Sequence, residues 1–160
     1  NVQLHDTYFV VAHFHYTMMG GTVMGFFAGL HYWFPKMTGK MLNEKVARLA
    51  WALVFIGFNV TFFTMFIVGT RGMPRRYAEY LPKFHTENVL STIGSAVLAV
   101  GILVMCWNFL QGLRKGAPAP ANPWRALSLE WRAASPPETE NFHEIPVVTE
   151  WPYSYGTPKS

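Results

Sequence analysis

Three histidines and one aspartate lie close together near the start of the chain, where a long apolar stretch begins. His5 and Asp6 are adjacent, and His13 and His15 follow them. Imidazole suits iron, copper and zinc, and a haem iron readily takes an axial histidine. Ionisable groups at membrane depth are costly and usually functional. These four residues are therefore the first candidates for a site that holds a metal or a cofactor.

The spacing of His13 and His15 excludes one kind of site and favours another. A helix turns 100° per residue, so the two side chains point about 200° apart. They cannot chelate one metal from a regular helix, but each could hold a separate centre, one on either face. The alternative is that each imidazole only forms a hydrogen bond within a helix bundle.

The pair His5 and Asp6 favours a different ligand. Both are predicted to lie about two helical turns earlier, roughly 12 Å nearer to the membrane surface. An imidazole beside a carboxylate can take a hard cation such as magnesium or manganese, with further ligands from a partner or water.

Long runs without Asp, Glu, Lys or Arg indicate the elements that carry these residues. Hydrophobic residues make up 51% of the 160 residues and charged residues 14%, against about 25% charged in an average soluble domain. A chain of this size cannot bury three such runs in a soluble core, and only helices satisfy the backbone inside lipid at this length. The sequence predicts an all-α transmembrane fold with three membrane-spanning helices, over about 8–34, 50–69 and 89–112.

The charges divide the chain into a transmembrane segment, 1–113, and a tail, 114–160. The basic excess lies in the first part, where it flanks the apolar runs instead of clustering on a soluble surface, which excludes nucleic acid as a partner. The connection 35–48 and the tail fall on one side, which the positive-inside rule favours as cytoplasmic. The tail is rich in proline and is predicted to be irregular.

Two further features concern packing and completeness. Gly21, Gly25 and Gly29 recur every four residues, which favours close approach of a neighbouring helix. The single Cys106 excludes an intrachain disulfide framework. Because the sequence opens at Asn1 and not at Met, we expect a processed, split or truncated chain.

Residues 1–16 resemble the tenth transmembrane helix of subunit I of haem–copper oxidases. The family signature His-Asp-Thr-Tyr-x-Val-Val-Ala-His-Phe-His-Tyr is matched in full from His5 to Tyr16. The stretches 31–35, 58–63 and 72–77 also agree, and the tail is similar to bacterial members of the cytochrome c oxidase branch at 122–124, 129–131 and 135–137. The resemblance implies the last three helices of a bundle of about twelve.

The resemblance also implies roles for four of the residues. His13 matches the proximal ligand of the high-spin haem iron at the oxygen-reducing site, which makes it the expected catalytic residue. His15 matches an axial ligand of the low-spin haem. Arg75 and Arg76 match a pair that binds haem propionates, and guanidinium forks suit carboxylates.

Further cofactors and partners follow from the same resemblance. His5 and Asp6 match ligands of a magnesium or manganese ion near the boundary with subunit II. The expected cofactors are two haems, with haem A as the expected type, and a copper ion whose ligands lie on family helices that this sequence does not contain. The expected partners are the remainder of subunit I, subunits II and III, cytochrome c and membrane lipids.

The function implied is the reduction of dioxygen to water with electrons from cytochrome c, coupled to proton pumping across a bacterial inner membrane. The loop of Arg75 and Arg76 is then periplasmic and the tail cytoplasmic. A quinol-oxidising member of the same family and a cofactor-free membrane scaffold subunit are the alternatives. Asn1 stands where many members of the family have Asp near a haem propionate, so a protonatable group is not predicted there. Thr-Met-Phe at 64–66 replaces a common Pro-Gln-His, which predicts altered packing without loss of a ligand.

Overall fold

The computed structural model describes residues 2–147, and the regular structure in that range is helical. The helices are α1, Tyr8–His15; a π-helical segment, Tyr16–Val23; α2, Met24–Thr38; α3, Glu44–Thr70; and α4, His85–Lys115. Short 3-10 turns cover Pro82–Phe84 and Leu129–Trp131. The described residues contain two isolated bridges but no β-strand, so the predicted all-α class is confirmed for this part of the chain.

Two of the helices are long and apolar enough to cross a membrane. They are α3 and α4, the latter together with the 3-10 turn before it. The predicted span over about 8–34 is helical along its length, but the π-helical segment divides it, so α1 and α2 are each shorter than a bilayer crossing. The bundle of about twelve helices stays a prediction, since it concerns helices that this chain does not contain.

Local sequence sets the ends of these helices. The hydroxyl of Thr7 accepts a hydrogen bond from the N–H of Phe9 at 3.3 Å and so caps the start of α1. Gly39 and Gly72 follow α2 and α3 with φ of 66° and 85°. Glycine adopts this left-handed conformation easily, and it lets the chain turn away from the helix axis.

The chain forms two compact units, and the first comprises residues 2–28 and 44–108. Its core buries Val54, Phe58, Phe62 and Leu98, so it joins α3 to α4. Tyr16 and several methionines pack against the same core from the π-helical segment and its surroundings. This packing places the end of α1 beside α3.

Glycines allow the helices of the first unit to approach closely. A Cβ at Gly57 would overlap the backbone of Leu98 in α4, and a Cβ at Gly69 would overlap the backbone of Phe9 in α1. A side chain at either position would therefore force the two helices apart.

The predicted packing face of the first span is not where this close approach occurs. A Cβ at Gly21 or Gly25 would meet no described atom within 4 Å, and one at Gly29 would meet Trp33 of its own helix. The spacing of small residues identifies a face that can accept a neighbour, but it does not show which helix lies against that face.

The second unit comprises residues 29–43 with 109–147. The N–H of Met41 donates to the carbonyl of Ala117 at 2.8 Å, and the N–H of Ala119 donates to that of Gly39 at 2.8 Å. Between 116 and 147 the described chain has one 3-10 turn and otherwise irregular backbone. The predicted boundary at 113 and the predicted cytoplasmic location of the tail stay predictions; Asn1 and residues 148–160 lie outside the described residues.

Candidate functional site

The last residue of α1, His15, has its protonation pattern set by the helix. Its Nδ1 lies 2.8 Å from the carbonyl oxygen of Val11. A carbonyl only accepts hydrogen bonds, so in the neutral imidazole Nδ1 carries the proton and Nε2 keeps a lone pair. A metal-bound histidine generally has its second nitrogen engaged in this way. The hydrogen bond within the helix therefore leaves the lone pair of His15 Nε2 available.

Neighbouring side chains hold the imidazole of His15 in place. The ring of Phe62 in α3 stacks on it with a centroid distance of 4.2 Å and an interplanar angle of 17°. The ring of Phe14 lies against it at 4.3 Å. The hydroxyl of Tyr16 donates to Oδ1 of Asn59 at 2.8 Å, which fastens the end of α1 to α3. These contacts restrict the rotation of the ring.

The surroundings of His13 differ from those of His15. His13 is exposed, and its side chain makes no hydrogen bond, ion pair or ring contact with any described residue. Both residues lie in a regular helix two positions apart, so their side chains leave the axis about 200° apart. The structure brings His15 against α3 and leaves the imidazole of His13 without a partner from the described chain.

A second cluster, the arginine junction, consists of residues 5–8 and 73–76. The N–H of Arg75 donates to the carbonyl of Asp6 at 2.9 Å, and the N–H of Tyr8 donates to that of Met73 at 3.0 Å. The segment before α1 is therefore tied to the loop after α3 by its backbone.

Side chains reinforce the arginine junction. Nε and Nη2 of Arg75 lie 2.9 and 2.8 Å from Oδ1 of Asp6. Nε2 of His5 lies 3.1 Å from the other oxygen, Oδ2. The hydrogen bond from Arg75, helped by the positive charges nearby, holds the pKa of Asp6 below its ordinary value. The pair thus stabilises the fold above the unfolded-state pKa of Asp6, and this contribution is lost as the pH falls through the lower folded-state pKa.

The two candidate propionate-binding arginines differ in their engagement. The side chain of Arg75 is 21% exposed and is held by Asp6. Arg76 is exposed, has a φ of 67°, and its guanidinium forms no hydrogen bond or ion pair with the part of the chain that the structure describes. The arginine junction therefore contains one guanidinium held by an ion pair, that of Arg75, and one without a described partner, that of Arg76.

The candidate metal ligands His5 and Asp6 are adjacent but do not make a complete site. Over residues 2–147 there is no group of three or more His, Cys, Asp or Glu side chains that could hold a metal ion. The predicted helical offset of this pair is wrong, because residues 2–6 form turns and Asp6 has a φ of 54°. The rise of an α-helix does not apply before Tyr8.

Comparison with known proteins identifies the family. The model of the family "Cytochrome C and Quinol oxidase polypeptide I" matches residues 1–97. The chain belongs to this family. It is 51% identical over 156 residues to cytochrome c oxidase subunit 1 of Synechocystis sp., and 46% identical over 149 residues to cytochrome c oxidase subunit 1 of Bacillus subtilis. These alignments cover 98% and 91% of this chain but only 28% and 24% of the relatives.

The chain thus spans about a quarter of the length of the oxidase subunits that it matches. The resemblance to subunit I of haem–copper oxidases is confirmed. Membership of this family, together with the two long apolar helices, indicates an integral membrane protein.

No sequence pattern points to the residues that position the candidate ligands. Phe62 and Asn59 fall in the stretch 58–63, which is similar to the family. Nothing in their spacing shows that one stacks on His15 and the other accepts a hydrogen bond from Tyr16. Likewise, the sequence predicts Asp6 as a metal ligand, but its ion pair with Arg75 depends on contact between segments distant in sequence.

Proposed function

We propose that this chain is the part of a respiratory haem–copper oxidase subunit I that holds both haems from one helix. His15 would hold the iron of a low-spin haem, and His13, as the catalytic residue, would hold the iron of the haem at the oxygen-reducing site. The observation that supports this most directly is the engagement of His15 Nδ1 by the Val11 carbonyl, which leaves Nε2 free. The lack of a described partner for His13 agrees with it.

The residues of this chain fit two haems, and the two histidines differ in how they are held. At His15, the hydrogen bond to Val11 and the stacked ring of Phe62 fix both the tautomer and the plane of the imidazole. At His13, the exposed imidazole is available to the haem of the oxygen-reducing site. The rest of the subunit would surround that haem on its other sides. When bound, the haems supply electron transfer and, together with a copper ion held by the remainder of the subunit, the reduction of dioxygen.

The arginine junction contributes charge to the same function. Arg75 and Arg76 would bind haem propionates, since a guanidinium pairs with a carboxylate and stays charged in a low dielectric. Asp6 holds Arg75 while its Oδ2 and Nε2 of His5 remain as two ligands for a magnesium or manganese ion. The other ligands would come from water or from subunit II, because the described residues supply no third one.

Cytochrome c is the proposed electron donor, and proton pumping across the bacterial inner membrane is the proposed coupled process. The family description covers both cytochrome c and quinol oxidases, and the relatives named above are cytochrome c oxidases. In this arrangement the arginine junction lies on the periplasmic side, the tail lies on the cytoplasmic side, and subunits II and III complete the complex. Steady-state oxygen consumption with reduced cytochrome c, compared with a quinol, tests the donor.

The test of the haem ligands is the absorption spectrum of the assembled complex. His15→Ala should remove the low-spin haem band, and His13→Ala should abolish oxygen reduction and alter the high-spin band. His31→Ala is the matched control, a histidine further along the same helical stretch with no proposed ligand role, and it should leave both bands in place. Unchanged haem bands in the His15 or the His13 variant would refute that assignment and favour a cofactor-free scaffold subunit.

The metal site is tested separately by analysis of bound manganese. The complex is prepared with manganese in place of magnesium, and His5→Ala should lower the bound manganese while both haem bands remain. Full manganese occupancy in this variant would exclude His5 as a ligand.

A further inference from the structure

The one buried lysine of the described chain, Lys36, lies in the last turn of α2 in the second unit. It is only 7% exposed, and lysine is almost never this buried unless it is paired. Yet its ammonium forms no ion pair with a carboxylate over residues 2–147. Ion pairs elsewhere in this range include those of His5 and Arg75 with Asp6.

Backbone carbonyls take the place of a carboxylate. Nζ of Lys36 donates to the carbonyl oxygens of Ala121 at 3.2 Å, Ala133 at 2.8 Å and Ala134 at 3.1 Å. Three donated bonds require three N–H groups, which only the protonated ammonium has. Nζ also lies 4.9 Å from the centre of the Trp131 ring, whose face attracts a cation. We call these three carbonyls and this ring the lysine cage.

The lysine cage joins parts of the tail that regular secondary structure does not join. Ala121 and the pair Ala133–Ala134 are separated in sequence by irregular chain and one 3-10 turn. Converging carbonyl dipoles repel one another, and a positive charge between them offsets this repulsion.

Trp131 is placed by the same contact. It is 1% exposed, and its indole N–H finds no acceptor in the described part of the chain. Its ring face meets Lys36, and its ring makes a T-shaped contact with that of Tyr32 at a centroid distance of 5.1 Å. The burial of this ring therefore depends on its π face and not on its N–H group.

We propose that residues 117–136 form a cap that folds around a monovalent cation site, the lysine cage, and that Lys36 fills this site from within the chain. The ligand class is a primary ammonium, held by three carbonyls and an indole face. If the side chain is shortened, a free alkylammonium ion of matching length would occupy the same site. The proposal concerns the second unit only and does not depend on haem binding.

The experiment uses the complete oxidase complex and amide hydrogen–deuterium exchange of residues 117–136. In Lys36→Ala and Lys36→Met, these amides should exchange on the order of tenfold faster, because the carbonyls lose a charged donor. Lys40→Met is the matched control, since within residues 2–147 Nζ of Lys40 donates to a single carbonyl, that of Leu113. Exchange of residues 117–136 in this control should stay as in the parent complex.

Chemical rescue separates charge from packing. The ion n-propylammonium replaces the atoms that Lys36→Ala removes, so it should restore protection in that variant, and the neutral n-propanol should not. In Lys36→Met the added ion should have no effect, because the methionine side chain occupies the space of the lysine side chain.

Two results would overturn the proposal. Protection of 117–136 in Lys36→Met equal to that of the parent complex would show that apolar packing suffices. Equal rescue by n-propanol and n-propylammonium would show the same. Should Lys36→Ala fail to assemble, Lys36→Arg is compared with Lys36→Met. Protection of the 117–136 amides in the Arg variant but not in the Met variant supports the cation site. Equal protection of these amides in both variants overturns it. The haem bands stay as in the parent complex throughout, so this outcome is distinct from failure of the proposed function.

Discussion

At the arginine junction, the guanidinium of Arg75 meets the carboxylate of Asp6, whose side chain is 57% exposed. In the lysine cage, by contrast, the ammonium of Lys36 is almost fully buried, and it donates its hydrogen bonds to backbone carbonyls beside an indole face, with the charge of Glu130 nearby. Exposed ion pairs contribute little to stability, and their partners can be exchanged for water or a ligand. A buried charge must have every donor satisfied before the chain will fold around it. The first arrangement is therefore suited to binding and the second to holding the fold.

The same contrast holds for the groups that lack partners. In the first unit, His13 and Arg76 make no side-chain hydrogen bonds to described residues, and His15 uses only one of its two ring nitrogens. In the second unit, all three N–H groups of Lys36 are used. Polar groups that a chain leaves uncommitted mark the places where a ligand or a neighbouring subunit is expected. The following changes test this division between a binding unit and a structural unit.

The largest effect is expected at Gly69, which lets α1 lie against α3 in the first unit. Gly69→Ala would place a Cβ against the backbone of Phe9 and push α1 away, at a cost of about 3 kcal/mol or more. The complex should lose yield and haem content together, as measured by the absorbance per milligram of purified protein. Gly21→Ala is the control, since its Cβ meets no described atom within 4 Å. Full haem content in Gly69→Ala would mean that the contact of α1 with α3 does not position the histidines.

The next effect compares equivalent turns in the two units. In Gly39→Ala, the alanine would have to adopt a left-handed φ of 66°, and its Cβ would lie 2.7 Å from Cδ of Pro136. The substitution should therefore lower the free energy of unfolding by roughly 2 to 3 kcal/mol. Gly72→Ala, at a φ of 85° with open space around it, should cost only about 1 kcal/mol. Gly39→Ala should speed amide exchange in 117–136 without changing the haem bands. Equal thermal stability of the two variants would show that Pro136 can move aside freely.

A smaller effect is expected from the charge of Arg75. Loss of a positive charge near a haem favours the oxidised iron, so Arg75→Gln should lower a haem midpoint potential by on the order of tens of millivolts. A spectroelectrochemical titration measures this. The double variant Asp6→Asn with Arg75→Gln restores the net charge of the pair, and its potential should return towards that of the parent complex. A double variant as low as the single one would contradict the view that the two act as a unit.

The smallest effect is expected at Phe62, which is 7% exposed and stacks on His15. Phe62→Leu removes the aromatic face but keeps an apolar side chain, so the cost in stability should be about 1 kcal/mol. Because the imidazole can then rotate, the low-spin haem band should broaden or shift while the high-spin band stays unchanged. Equal changes in both bands would indicate a general loss of packing and not a local effect on His15.

Several parts of this chain could be predicted from its sequence because they depend on local chemistry. The absence of charge over 49–70 and 88–113 leads to apolar helices, since a single segment of this length satisfies its own backbone hydrogen bonds in lipid only as a helix. The spacing of His13 and His15 predicts two directions of approach, because the turn of a helix is constant.

Other parts depend on contacts that no local pattern records. The sequence supplied Asp6, Arg75, Phe62 and Lys36 as residue types, and it determined which of them can donate, accept or stack. Only the tertiary structure decided that Asp6 holds Arg75 and that the ring of Phe62 faces His15. It likewise decided that carbonyls of an irregular tail surround Lys36. The physical reason is that a side chain's chemistry is intrinsic, whereas its partner is chosen by the packing of segments far apart along the chain.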